Sequence, residues 1–202
     1  LSTLRLASED VVEYHAEVFD NDAVTGPKSA VSETFTLRLP SIDEVFADLD
    51  KGHEEARETL TDALKQAEEA KKEMDELSRE LKKPQQKLTG EEQKKAEEIT
   101  RRYQEIQKKL NDVQQTVDRM MNEMQKNNVL SQETLAKYQE LQQVMEQMQS
   151  PEFAEAMKRL QDAMQRMTPE AMKQALQQFS FSDDQLRKRI ERTLNLLKNI
   201  QI

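Results

Sequence analysis

Apolar residues recur at alternating steps of three and four along two long stretches of the chain. The first stripe is Ile42, Phe46, Leu49, His53, Ala56, Leu60, Ala63, Ala67, Ala70, Met74, Leu77 and Leu81. The second is Ala96, Ile99, Tyr103, Ile106, Leu110, Val113, Val117, Met120 and Met124. A stripe repeating every 3.5 residues keeps facing one partner, which is the coiled-coil signature. Lys83, Pro84 and Gly90 separate the two stripes with residues that a continuous helix disfavours. The pattern predicts an antiparallel helical hairpin over 41–128. Ser41 with Glu44 forms a capping-box pattern at its start. Thr89 or Gly90 opens the second helix, and Glu91 and Glu92 suit its N-terminal dipole.

Residues 1–40 alternate with period two instead. Leu4 and Leu6, then Val12, Tyr14, Ala16 and Val18, then Phe35, Leu37 and Leu39 alternate with polar neighbours. That is the pattern of half-buried strands. Asp20-Asn21-Asp22 and Gly26-Pro27 supply turn chemistry between the second and third runs. Asp10, Tyr14 and Ala16 fall where an immunoglobulin-like sandwich places its tyrosine corner, with Ala16 in the core position. Any amphipathic strand carrying a Tyr gives the same pattern. On the sandwich reading these are its C-terminal strands, the rest lies upstream, and Pro40-Ser41 joins sandwich to hairpin.

After Lys126 the sequence predicts four shorter helices, about 131–149, 151–167, 169–179 and 183–201. Asn127-Asn128 breaks the preceding helix. Leu130, Ser131 and Leu135 form a hydrophobic staple around an N-cap. Ser150-Pro151-Glu152 and Thr168-Pro169-Glu170 each read cap, proline, acid. Ser182 with Gln185 forms a capping box, and Phe181 with Leu186 its staple. The fold class is therefore mainly α. A long coiled-coil hairpin and a Met-rich helical bundle over 129–202 follow the end of a β-sandwich.

Composition narrows the function classes. The net charge of −9 argues against nucleic acid as the main partner, because phosphate binding needs a basic face. The charge is uneven: −4 over residues 1–40, −7 over 41–82 and +2 over 83–202. There is no cysteine, which removes disulfides and thiol chemistry. No apolar run approaches the roughly 20 residues of a membrane helix, so any membrane attachment comes from segments outside this chain. The chain begins at Leu1 inside a strand pattern, and we expect it to be part of a larger protein.

Catalytic constellations are missing from the sequence. The two histidines, His15 and His53, lie in different elements, and no Walker loop, nucleophile elbow or dinucleotide fingerprint occurs. The expectation is a non-enzyme without cofactor. Asp20 and Asp22 offer clustered oxygens for calcium, but a structural turn explains them more simply. His53 on the first stripe is a candidate pH switch or metal ligand, or a tolerated polar residue in a helix seam. Methionine is the unusual feature. Nine of ten lie between positions 120 and 172. Met121, Met124, Met145, Met148, Met164 and Met167 are candidate partner-binding residues, because flexible thioethers adapt to apolar partners. Soft Cu(I) is a minor alternative for the same sulfurs. Most of these residues fall on the apolar stripe of their own helix, so a Met-filled core is the default. The same heptads can pair within one chain or between two.

Two segments carry a resemblance. One is Tyr14-x-Ala16-x-Val18-x-Asp20-Asn21-Asp22-Ala23-Val24-x-Gly26-Pro27-Lys28-Ser29, continued by Phe35-x-Leu37-Arg38-x-Pro40-Ser41. The other is Pro169-Glu170-x-Met172-x-x-Ala175-Leu176, with Ile190-Glu191-Arg192-Thr193-Leu194-x-Leu196-Leu197-Lys198. Together they resemble a family of large bacterial membrane-anchored envelope proteins of unknown function. There, N-terminal membrane helices precede extracytoplasmic β-domains and a Gln- and Met-rich helical region. The resemblance implies a periplasmic or extracytoplasmic location and a structural or protein-interaction role. It implies no catalytic residue.

Overall fold

The computed structural model describes residues 6–22, 24–83, 86–127, 129, 131–148 and 150–200. Leu4, Pro84, Asn128 and Leu130, which the sequence pattern used as strand and boundary signals, lie outside the described residues. The protein is mainly helical, with a few short antiparallel strands. The strands are β1 (Val11–Tyr14), β2 (Glu17–Phe19), β3 (Ser29–Val31) and β4 (Phe35–Arg38). The helices are α1 (Ile42–Glu80), α2 (Gly90–Lys126), α3 (Gln132–Met148), α4 (Pro151–Arg166) and α5 (Pro169–Lys198). The chain divides into two compact units, 1–48 and 49–202.

In the first unit β1 pairs with β4 from Val11↔Arg38 to Tyr14↔Phe35, and β2 pairs with β3 from Glu17↔Val31 to Phe19↔Ser29. The two ladders are segments of one ribbon. Between them the Ser32 amide donates to the Ala16 carbonyl (2.8 Å), and the Ala16 amide donates to Ser32 Oγ (2.9 Å). Two residues on one strand face three on the other there, so the ribbon carries a bulge, which bends and twists it. Its tip is held by Asp20 and Asp22. The Lys28 amide donates to Asp20 Oδ1 (2.8 Å), and Asp22 Oδ1 accepts from the Val24 amide at 2.9 Å. The Thr25 hydroxyl and then the Val24 amide, both donating to Asp22, hold its carboxyl below its ordinary value. These carboxylates satisfy turn amides, as expected of Asp in a loop.

The second unit is built from four antiparallel rods. As the residue number rises along α1 it falls along α2. Gly52 lies against Met120, Asp62 pairs with Lys109, Glu69 and Glu73 pair with Arg102, and Glu80 pairs with Lys95. The seam between them is the predicted one, with Leu49, Leu60, Leu77, Ile99, Ile106 and Val117 all buried. At its start the stripe shifts: Ile42 is exposed, and Val45 rather than Phe46 is the buried residue. Capping chemistry sets the helix starts. The Ser41 amide donates to the Glu44 carboxylate and the Glu44 amide to Ser41 Oγ, and Thr89 with Glu92 repeats that box on α2.

α3 and α4 together form the third rod. Both run antiparallel to α5 in one continuous alignment. Lys137 reaches the Asn199 carbonyl, Arg192 meets Glu140, Arg189 meets the Gln147 carbonyl, and Arg159 meets Gln178. The rod is interrupted where Ser150 caps α4 and Pro151 occupies its first turn. α5 is the fourth rod and closes back on α1. Lys71 Nζ donates to Ser180 Oγ at 2.6 Å, and the Leu197 carbonyl faces His53.

One sequence expectation changes and another is extended. The segment 169–198, expected as two helices, is one, with no break at 180–182. Ser182 and Gln185 form no cap because the core stripe runs on through them, from Phe179 through Asp183 to Leu186. The helices of 129–202, expected to pack against the end of α2, lie in one compact unit with it, and α5 also meets α1 through Lys71 and Ser180.

Candidate functional site

The six candidate methionines do not form a surface. Met121, Met124, Met145 and Met148 are buried, as are Met120, Met157 and Met172. Met164 is half-buried, and Met167 alone of the nine is open, at 51% exposure. Met167 is the C-cap of α4 and adopts a left-handed backbone (φ 52°). Its carbonyl accepts from the Leu88 amide across the end of the unit (3.4 Å). The thioethers fill the space between rods, where unbranched flexible side chains match irregular gaps.

Most of the exposed large apolar side chains among the described residues lie on the ribbon. Val12 and Tyr14 share a face with their partners Leu37 and Phe35, because directly opposed residues point the same way. The Tyr14 and Phe35 rings stack with centroids 5.5 Å apart. Tyr14 nevertheless stays 55% exposed and Phe35 43%. Tyr14 therefore braces a cross-strand partner. A two-stranded ribbon is marginal by itself, and its alternation presupposes a second layer.

Among the described residues of the helical unit the most deeply buried charged side chain is Asp183, at 0% exposure. It lies on the α5 stripe Met172, Leu176, Phe179, Asp183, Leu186, Ile190, Thr193, Leu197, at a position where the spacing calls for an apolar residue. Tyr103 Oη donates to Asp183 Oδ1 at 2.6 Å, and Arg187 Nε donates to Oδ2 at 3.1 Å. Arg187 also pairs with Asp184. Burial pushes the Asp183 carboxyl up, against the opposing pull of Tyr103 and Arg187. Burial first, and then the Asp183 charge, push the Tyr103 hydroxyl far above its ordinary value. Around this pair Tyr103, Phe153 and Phe179 form an aromatic cluster, with Tyr103 edge-on to Phe179 at 4.6 Å. The sequence reading passed over Asp183 because it sits beside Ser182, where capping chemistry suggested a break. The unbroken 4/3 spacing through it was the signal that finds it.

His53, a further polar residue on a helix stripe, is half-buried between buried Leu49 and Ala56. Its Nε2 is buried without a hydrogen-bond partner, and burial lowers its pKa. Among the described residues no group of three or more His, Asp or Glu side chains is placed to hold a metal. Phe181, expected as a staple, is instead 70% exposed on α5, beside a cleft floored by Met148, Phe153 and Leu186. No protein-family model, no curated protein and no solved structure matches the chain.

Proposed function

We propose that the chain is a non-enzymatic structural and protein-interaction module, in which the ribbon docks and the helical unit spaces and supports. The observation behind this is the open apolar face of Val12, Tyr14, Phe35 and Leu37. On this reading the ribbon is the edge of an immunoglobulin-like sandwich completed by strands outside residues 1–202. The paired stripes of α1 and α2 act as a coiled-coil hairpin stiffened by the rods packed on it. The resemblance to bacterial envelope proteins suggests an extracytoplasmic place, with tethering by segments outside this chain. No helix among the described residues is long and apolar enough to cross a membrane.

The Met-lined clamp for apolar segments has less behind it, because the thioethers it needs are mostly buried between rods. The Cu(I) reading meets the same obstacle.

Hydrogen exchange tests the docking role. In this chain the amides of 11–19 and 29–38 should exchange far faster than those of the helical unit. In the longer protein they should become protected by pairing and burial. Ribbon amides with equal protection in both would sink the proposal.

A further inference from the structure

We propose that His53 is an acid-sensitive latch, fastening the entry of α1 into the helical unit to the last turn of α5. Four observations support it. The ring is half-buried on the α1 stripe, between buried Leu49 and Ala56. The Leu197 carbonyl of α5 faces one ring nitrogen. The other, Nε2, is buried and has no partner. The backbone beside it has little slack, since a Cβ at Gly52 would stand 3.0 Å from Met120 Sδ.

The neutral ring fits this setting. The neutral tautomer with its proton on Nδ1 leaves Nε2 only a lone pair, which creates no buried donor. A proton added at Nε2 creates a buried donor with no acceptor and a charge in an apolar seam. Both are unfavourable unless the ring moves to water. The ring escapes most readily if the last turn of α5 lifts from α1.

The charges around the ring are mixed. On α1, Asp50 and Glu54 favour the imidazolium and Arg57 opposes it. On α5, Lys198 lines a surface cleft with Glu54 and Arg57. On α2, the Arg119 guanidinium lies 3.6 Å from where a Gly52 Cβ would stand. On α3, Lys137 bonds to the Asn199 carbonyl, and buried Tyr138 has an unpartnered hydroxyl. The C-terminal carbonyls of α5 attract a positive ring. Desolvation outweighs these attractions and holds His53 below the ordinary histidine range. A base depressed in the folded state gives stability that is present above its unfolded pKa of about 6.5 and is lost as pH falls below it. Acid therefore opens the latch.

The test uses the whole chain. Imidazole titration by NMR should place the His53 midpoint below the ordinary histidine value of about 6.5. Hydrogen exchange at the Leu194, Leu197 and Ile200 amides, corrected for intrinsic rates, should accelerate between pH 7.5 and 5.5. The limit is about tenfold for each pH unit by which the His53 midpoint is depressed. His53→Leu, which restores the apolar stripe, and His53→Gln, which cannot take the proton, should both abolish the acceleration. If only one of them folds at pH 7.5, that one decides. A His53 midpoint at or above the ordinary value of about 6.5 would overturn the latch, as would equal acceleration in the variants.

Discussion

Tyr103 and Asp183 meet across the helical unit, α2 to α5, through a 2.6 Å hydrogen bond between two buried side chains. Each satisfies the other, so removing one leaves a buried polar atom without its partner. Tyr103→Phe should cost about 1–3 kcal/mol. Tyr103→Phe combined with Asp183→Leu should cost less than the two single changes summed, since neither half of the Tyr103–Asp183 bond is then left without the other. A double-mutant cycle in urea measures the coupling; strict additivity would mean the bond contributes nothing.

The same carboxylate makes a pH prediction. Its folded pKa is raised, so protonation favours the folded state and ionisation works against it. The stability it contributes is present below the unfolded pKa of about 3.9 and is lost as pH rises through the folded value. Asp183→Asn keeps an acceptor for Tyr103 and removes the charge. Its melting temperature should therefore gain on the wild type between pH 4 and pH 7. A gap that closes or reverses over that interval contradicts the burial argument.

Leu60 and Ile106 are buried on the facing stripes of α1 and α2. Leu60→Asp or Ile106→Asp buries an unpaired carboxylate and should destabilise the helical unit by about 3–5 kcal/mol. Exposed Glu58→Gln should stay within about 0.5 kcal/mol. Thermal melts followed by helical circular dichroism separate the two classes. Unchanged melting in both Asp variants would mean that the stripes do not face one another.

Peroxide distinguishes a methionine core from a methionine groove. Met167 is open and Met164 half-buried, whereas Met124, Met145 and Met148 are enclosed. Mild oxidation read by peptide mass spectrometry should therefore convert Met167 first and the enclosed residues only on unfolding, since thioether oxidation follows exposure. Early oxidation of Met145 or Met148 would favour an accessible groove.

The stripes of α1 and α2, the capped starts of α2 and α4, and the alternation of the ribbon were legible in the sequence because each depends on local spacing. What spacing does not encode is partnership. An amphipathic stripe demands burial without naming what buries it, so the pairing of α5 with α1 was invisible. Local chemistry also misled at Ser182, whose capping residues matter only where a helix ends. Asp183 was missed for the related reason that a stripe is sought through its apolar members. Likewise the face of Val12, Tyr14, Phe35 and Leu37 states that something covers it and leaves the cover unspecified.

The contact of Lys71 with Ser180 has a kinetic consequence. It joins residues 109 positions apart, whereas Lys95 and Glu80 are only 15 apart. Closing a long loop costs entropy before any contact offsets it, so neighbouring rods pair early and α5 seats on α1 late. Changes at Ser180 or Lys71 should then leave the refolding rate nearly unaltered and quicken unfolding. The rod made after the other three is the one that completes the core, and until it seats the α1–α2 pair has one flank open.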